Sequence, residues 1–534
     1  MAPTNRAVAR LAKDPRPPTA REGDALATHL TDASRFPGGH AGSIVAPKDE
    51  GEVAYAVAHA DQLLPIGAQS SLTGGATPQG GQLLDTARLT TLRLEGEEAV
   101  VGAGVSLLEL ETFLAERDAY YPPIPTYTGA LVGGAVSTNA AGAATWKYGS
   151  TRPWVSGLTV VLASGCVLEL RRGEVLAEGG EFVIETPQGE LRVPVPTYSM
   201  PDVAKRSAGY HAEPGMDLID LFIGAEGTLG VVIEVRLRVV SRPPQVVTCL
   251  VPFADEQAGL QLVAALRAAS RATWASGDPA GVDVRAVESM DRRSVELLHE
   301  DGEDEKNGVE LPQGTALALL VQAELPADFD AEEALARYVE GERGVDGLGA
   351  LLALLEEHVD FDAVELAMPD DRARRQQLFD LREAVPSCVN HRVRDAQRDV
   401  DGRIHKVGGD MIVPFERFGE MLEVYAREFG GRGLDYAVWG HVSDGNVHPN
   451  VLPRSYADVE AGHEALLACG HAVARLGGCP LSEHGTGRNP IKQALLRQLY
   501  GDEGVAQMRA VKRALDPTGK LARDVIFPWE ASPS

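Results

Sequence analysis

The sequence predicts an α+β protein built as two domains. The chain has 534 residues, against ~150 for a typical domain. Its first half is rich in strand patterns and glycine, and its second half in helical periodicity. A Pro243-Pro244 pair, through which neither a helix nor a central strand continues, separates the two. No internal repeat is present.

The elements follow in order. Residues 1–24 carry Arg6, Arg10, Lys13, Arg16 and Arg21 but no apolar run, so they read as a flexible tail rather than a secretory signal; a transit peptide is the alternative. Val53 and Val57 are spaced for a helix over 51–60, and Leu-Leu-Pro-Ile at 63–66 is a short buried strand entering a glycine-rich loop. Val100-Val101 marks another strand. Ser106 and Glu109 form a capping box, and Leu107, Leu110 and Leu114 are the buried stripe of the helix behind it. Residues 158–162 and 166–170 form a hairpin around Ala163-Ser164-Gly165. Ile233, Val235, Leu237 and Val239 alternate with Glu234, Arg236 and Arg238, as in a strand with one wet face. Past the prolines, helices are expected near 256–270, 415–429 and 455–476, a strand at 316–322, and an exposed loop at 301–306.

Composition bounds the function. The net charge of −27 excludes a generic nucleic-acid binder, which needs a cationic face, and argues against docking on an anionic membrane. An anionic substrate would need a local cationic pocket. Five cysteines, an odd number without a CxxC, fit reduced structural thiols in a cytoplasmic protein. No apolar run reaches the roughly 18 residues of a membrane span, so no integral membrane contact is expected.

Three small-residue segments are candidates for ligand binding. PIGAQSSLTGG at 65–75 presents successive backbone N–H groups suited to a pyrophosphate, or is a plain surface loop. It has neither Rossmann nor Walker spacing. The run 125–149, PTYTGALVGGAVSTNAAGAATWKYG, allows a flat ligand to lie against the backbone, or is a tightly packed interior crossing. Gly224-Ala-Glu-Gly-Thr-Leu-Gly230 leads into the alternating strand.

Residues 439–450 read WGHVSDGNVHPN. Asp444-Gly445 is a signal for a two-residue type I′ hairpin, which requires φ > 0 at both central positions. Such a turn sets His441 directly opposite His448, roughly 5 Å apart at Cβ, with Asn450 on the same face. The residues alone leave a metal grip and a pair of satisfied surface histidines both open.

The three glycine-rich segments, in this order, resemble the FAD-binding (PCMH-type) domain of the vanillyl-alcohol oxidase/p-cresol methylhydroxylase flavoprotein superfamily. More closely they resemble its D-2-hydroxyacid branch, with D-lactate and D-2-hydroxyglutarate dehydrogenases and glycolate oxidase subunits. The hairpin matches the branch pattern GHxGDGNxH with Ser443 replacing a glycine, and Ser482-Glu-His-Gly-Thr-Gly487 matches a second motif. The likeness covers roughly 36–530. It implies an FAD domain over 25–243, an α/β cap over 244–485, and a helical segment over 486–534 returning to the FAD domain.

It also implies site residues. Ile66, Gly67, Ala68, Gln69, Ser70, Ser71 and Leu72, with Gly74, would cradle the pyrophosphate. Pro125, Thr128, Gly129, Gly133, Gly134, Thr138, Asn139 and Gly142 would line the cofactor, and Glu226, Gly227 and Val232 its adenine side. The first loop has no histidine, and His40 lies upstream, so the FAD is expected to be non-covalent. His441, His448 and Glu483 would bind a divalent metal, first Zn, with Mn and Fe also suited to this donor set. His484 would be the general base, and Arg382, Asn450 and Lys406 would bind substrate. Lys406 lies eight residues before Pro414, where relatives have six. Ala522-Arg523-Asp524 replaces the usual Asn-Pro-Gly after Lys512–Gly519.

The implied activity is oxidation of a D-lactate-like 2-hydroxyacid with hydride transfer to flavin N5. The acceptor would be external: a quinone, a cytochrome, an electron-transfer flavoprotein or O₂. A homodimer is compatible with this. Two alternatives are a non-redox flavoenzyme resembling alkylglycerone-phosphate synthase and the flavin subunit of a larger glycolate-oxidase-like assembly.

Overall fold

The computed structural model describes residues 4–530. The chain forms two compact units. The first takes the chain up to Gly142, then Gly149–Ser241, and everything from Cys479 onward; the second takes Ala143–Tyr148 and Arg242–Gly478. The outgoing cut lies beside Pro243-Pro244. The return comes at Cys479, ahead of the expected 485, so Glu483 and His484 belong to the first unit. The short segment 143–148 belongs to the second, where Lys147 Nζ pairs with Asp283 (2.7 Å) and Glu324 (2.5 Å) and Trp146 packs on Trp274.

Within the first unit, the parallel strands Ser43–Val45 and Leu63–Ile66 flank Gln82–Asp85, and the helix Glu50–His59 makes the crossover. Val53 and Val57 are fully buried beneath it, as their spacing predicts. The C-terminal segment completes this core: Leu63 N donates to Lys520 O (2.8 Å), Ala522 N donates to Leu63 O (2.8 Å), and Leu521 joins Leu63 and Leu84. The helix Leu107–Ala115 carries its capping box and buries Leu107, Leu110 and Leu114.

The other large sheet of this unit has eight strands among the described residues. Val155–Val161 is paired on both sides, with Val167–Arg171 across the expected hairpin and with Val231–Arg238. The N-terminus corrects the sequence reading. Arg6–Arg10 is a strand of this sheet, antiparallel to Val167–Arg171 and parallel to Glu181–Thr186. Ala7 and Ala9 face inward, and the arginines that read as tail charges are paired: Arg6 with Glu185 and Arg10 with Glu50 and Glu169.

The second unit is an antiparallel sheet in the order Glu365–Ala367, Gln245–Phe253, Leu317–Leu325, Val284–Asp291, Tyr436–Gly440, Asn446–Val451, Val407–Gly408, with Met411–Ile412 also paired to Asn446–Val451. Helices Glu256–Ser276, Arg372–Asp399, Phe418–Glu428 and Tyr456–Arg475 accompany it. The expected loop at 301–306 is instead part of a short helix, Glu303–Asn307, with Asp304 bound to His299 Nδ1 at 2.7 Å.

Candidate active site

Inside the first unit a cleft of about 300 Å³ is lined by all three glycine-rich segments and by Glu483 and His484. Its floor is shaped by backbone. Gln69 sits at φ +51° and is locked there by its own amide, which donates to His29 O (3.0 Å) and Ala76 O (2.8 Å). A left-handed residue within a small-residue loop is the backbone pattern from which concavities for phosphate oxygens are built. Gly134 lies in the helix Val132–Ser137, and a Cβ built there would meet nothing within 4 Å. Packing does not demand glycine at that point, and its absence of a side chain leaves the backbone open to the close approach of a ligand. Both features fit a dinucleotide such as FAD.

Of the residues expected at the cofactor, 66–72, Pro125, Gly133, Gly134, Thr138, Glu226, Gly227 and Val232 line this cleft. Gly74, Thr128, Gly129, Asn139 and Gly142 do not. Gly74 and Gly142 make room for neighbours: a Cβ at Gly74 would strike the Phe36 ring at 2.6 Å, and one at Gly142 would strike Ile124 O at 2.4 Å. Asn139 is buried and accepts from Arg152 N (2.9 Å). Thr128 O accepts from Leu108 N, and Gly129 lies against the Tyr127 ring. The small-residue pattern is common to both tasks, so sequence could not sort them.

The loop 483–488 is tied to the cleft by two residues. Glu226 accepts N–H bonds from Thr486 and Gly487, both 2.8 Å. Burial, the dominant influence, pushes its carboxyl up to about 7 against those two bonds, which favour the anion. Arg488, which sequence reasoning passed over, donates to Gly74 O, Gly75 O, Thr77 O and Arg523 O. Ala522 and Asp524, which stand in the expected Asn-Pro-Gly turn, take left-handed φ values of +40° and +65°. His484 is partly exposed, with Nε2 3.4 Å from Glu483 Oε1. Glu483 Oε2 lies 3.0 Å from Nζ of Lys205, whose side chain is fully buried. Lys205 was absent from the sequence reading; nothing in its neighbourhood marks a lysine that folds inward.

The second unit holds the histidines. The two-residue turn is corrected here. Only Gly445 has positive φ (+86°). Residues 442–444 form a 3₁₀ turn instead, because the Asp444 carboxylate accepts from Asn446 N (3.1 Å) while His441 O accepts the same N–H (3.2 Å). His448 therefore pairs with Trp439, not His441. The slip is two residues, one full strand period, so the face is kept. The His441 and His448 rings stand 5.5 Å apart, edge to face.

Both histidines are buried, and each has a carboxylate. His448 Nδ1 is 3.5 Å from Asp410 Oδ1, itself held by Asn446 Nδ2 (3.2 Å). His441 Nδ1 hydrogen-bonds Glu288. Two nitrogens and a neighbouring carboxylate are a donor set suited to Zn or Mn. Asn450 shares the face of His448 and donates to His448 O (3.1 Å); its buried Oδ1 has no hydrogen-bond partner among the described residues. Gly408 clears space for that amide. Arg382 is buried, with Nη2 2.5 Å from Glu288 Oε2 and Nη1 2.5 Å from Glu383 Oε1. Burial depresses the guanidinium, and the two carboxylates carry it above its ordinary value. Lys406 is exposed. Asp410 and Glu288 were not singled out from sequence, although Asp410 lies between Lys406 and Pro414.

A model of the C-terminal domain of FAD-linked oxidases matches residues 242–526, more than half of the chain. The chain belongs to the FAD-linked oxidase family. A model of an FAD-binding domain matches residues 41–171 of this FAD-linked oxidase. It is 28% identical over 493 residues to a D-2-hydroxyglutarate dehydrogenase of Xanthomonas citri pv. viticola, covering 90% of this chain and 87% of that one. It is 25% identical over 500 residues to glycolate oxidase subunit GlcD of Bacillus subtilis (92% and 89% covered), and 25% identical over 493 residues to a D-lactate dehydrogenase of Archaeoglobus fulgidus (90% and 89%). Its fold is shared with a solved alkyldihydroxyacetonephosphate synthase, with a TM-score of 0.56 at 13% identity, covering 96% of this chain and 82% of that one. Among the described residues no helix is long and apolar enough to cross a membrane.

Proposed function

We propose that this FAD-linked oxidase is a dehydrogenase of D-2-hydroxyacids, of lactate-like size, assisted by a divalent metal. The observation that carries the reading is the shared cleft: the three glycine-rich segments and the Glu483-His484 pair line one cavity of the first unit. Relatives named for D-2-hydroxyglutarate, D-lactate and glycolate point to the same substrate class.

Bound in that cleft without a covalent link, the flavin would supply a hydride acceptor. His441, His448 and Glu483 would hold the ion, which supplies Lewis acidity toward a chelated hydroxyl. The chain's own residues do the rest. His484 accepts the hydroxyl proton on an imidazole nitrogen. Arg382 offers a buried guanidinium to the carboxylate, the local cation that a chain of net charge −27 requires. Asn450 directs its amide oxygen to the substrate. Glu226 and Arg488 keep the His484 loop against the flavin loops. Lys406 is exposed and is given no role at the substrate. The electrons leave to an external quinone, cytochrome or electron-transfer flavoprotein, since the chain has no Rossmann fingerprint for a nicotinamide.

Purified protein with a flavin spectrum, mixed anaerobically with D- and L-2-hydroxyacids, tests the reading. A D-acid should bleach the flavin, EDTA should abolish the bleaching, and Zn²⁺ or Mn²⁺ should restore it. A flavin that no hydroxyacid bleaches overturns the proposal.

A further inference from the structure

Glu288 sits in the middle of the strand Val284–Asp291, buried to 4% exposure. One of its oxygens hydrogen-bonds His441 Nδ1 and the other pairs with Arg382 Nη2. It thus joins the residue expected to bind metal to the residue expected to bind the substrate carboxylate. A carboxylate cannot donate, so the proton of this bond belongs to His441 Nδ1, and Nε2 becomes the lone-pair nitrogen. The same anion sets the guanidinium plane of Arg382 through Oε2, while Glu383 holds Nη1. Its placement is itself enforced. The next N–H toward the N-terminus, that of Val287, donates to Ser443 Oγ (3.1 Å) in the His441–Asn446 loop, so strand and loop are stitched on the residue beside Glu288.

We propose that Glu288 is a positioning residue for the hydroxyacid reaction: it fixes His441 as an Nε2 ligand and aligns Arg382 from the same carboxylate, so that metal affinity and substrate affinity depend on one side chain. The inference rests on the function proposed above and adds to it a residue that touches neither metal nor substrate. A carboxylate behind a ligating histidine commonly changes metal affinity by about 10–100-fold.

The test uses the FAD-loaded, EDTA-treated full chain. Titration with Zn²⁺ against a chromophoric chelator should show Glu288→Gln binding roughly 10–100-fold more weakly than wild type. Anaerobic bleaching at saturating metal should show a raised half-saturating concentration of hydroxyacid, larger than the change in limiting rate. A merely structural residue would add its cost to any other variant. Here His441→Asn alone should weaken metal binding, and Glu288→Gln on top of it should weaken it no further; additive losses overturn the proposal, as does wild-type metal affinity in Glu288→Gln.

Should Glu288→Gln fail to fold, ¹⁵N-histidine spectra of the wild-type, metal-free protein decide. His441, assigned by its absence in His441→Asn, should be protonated at Nδ1, and protonation at Nε2 alone overturns the assignment. If wild type neither binds metal nor is bleached by any hydroxyacid, the functional reading has failed instead. A wild type that does both while Glu288→Gln is unchanged sinks only the inference.

Discussion

The two units set charges of opposite sign behind their reactive groups. In the second unit, His441 and His448 each lie against a buried carboxylate, Glu288 or Asp410. In the first, the reactive pair includes its own carboxylate, Glu483, and that acid lies against a buried ammonium, Lys205. The difference teaches how each unit keeps such groups in its interior. An imidazole is oriented by an anion behind it, whereas a buried carboxylate needs a cation at hand when no metal ion is bound.

The largest expected effect separates the two by their link to the flavin. Only the Glu483-His484 pair lines the flavin cleft. His484→Gln should slow bleaching by roughly 10²–10⁴-fold and also shift the visible flavin spectrum. His441→Ala should abolish metal binding and bleaching while leaving both the spectrum and the FAD content as in wild type. Loss of FAD from His441→Ala, read by absorbance after gel filtration, would break the comparison.

Next comes the countercharge. Lys205→Met leaves Glu483 buried without its ammonium, and removing one partner of such a pair costs about 3–5 kcal/mol. Urea unfolding of the EDTA-treated protein should show that loss, and saturating Zn²⁺ should recover part of it, so the metal-induced stabilisation exceeds that of wild type. An equal loss with and without metal would mean that Lys205 supports packing and not Glu483.

What sequence could and could not reveal follows the same division. Local signals were legible: the Ser106 capping box, the buried stripe of Leu107, Leu110 and Leu114, and the alternation from Ile233 are all formed as patterned. His441 and His448 stood out through the Asp-Gly turn signal between them, and Glu483 and His484 through the resemblance of 482–487 to the family motif. Their partners did not. Glu288 is 153 residues from His441, and Lys205 is 278 from Glu483 by position in the chain; only long-range pairing joins them. The N-terminal strand was missed because Ala7 and Ala9 are weak apolar signals between two arginines whose acidic partners lie far along the chain. The hairpin register was misjudged because the Asp444 carboxylate joins His441 O in accepting the Asn446 N–H, which favours a 3₁₀ turn over the two-residue one.

A smaller effect probes the first unit through pH. Glu226 has its carboxyl pushed from the ordinary 4.5 up to about 7, chiefly by burial. A carboxyl raised in the folded state favours folding fully below about 4.5, and that contribution is lost as pH climbs through about 7, because the folded state then carries an unfavourable buried anion. Glu226→Gln removes the titration, so the thermal midpoint should fall less steeply with pH in that window than in wild type. The amide also sets an NH₂ against one of the two N–H groups it replaces as partner, so the whole curve should lie lower and bleaching should slow. Parallel curves for the two proteins would place the titration elsewhere.

The smallest expected effect concerns Ser443, where the family pattern has glycine. Its hydroxyl accepts from Val287 N, its carbonyl accepts from Arg267, and Arg267 lies over the rings of Trp146 and Phe415. Burial pushes that guanidinium down to about 10. Ser443→Gly therefore leaves a buried N–H unsatisfied beside Glu288 and frees the loop backbone, at about 1–3 kcal/mol. The loop sits in the second unit, so the loss should appear there: weaker Zn²⁺ binding through a less fixed Glu288–His441 pair, with the flavin spectrum unmoved. A Ser443→Gly protein with wild-type metal affinity but an altered flavin spectrum would show that the two histidine groups are not held independently, and the contrast between the units would have to be abandoned.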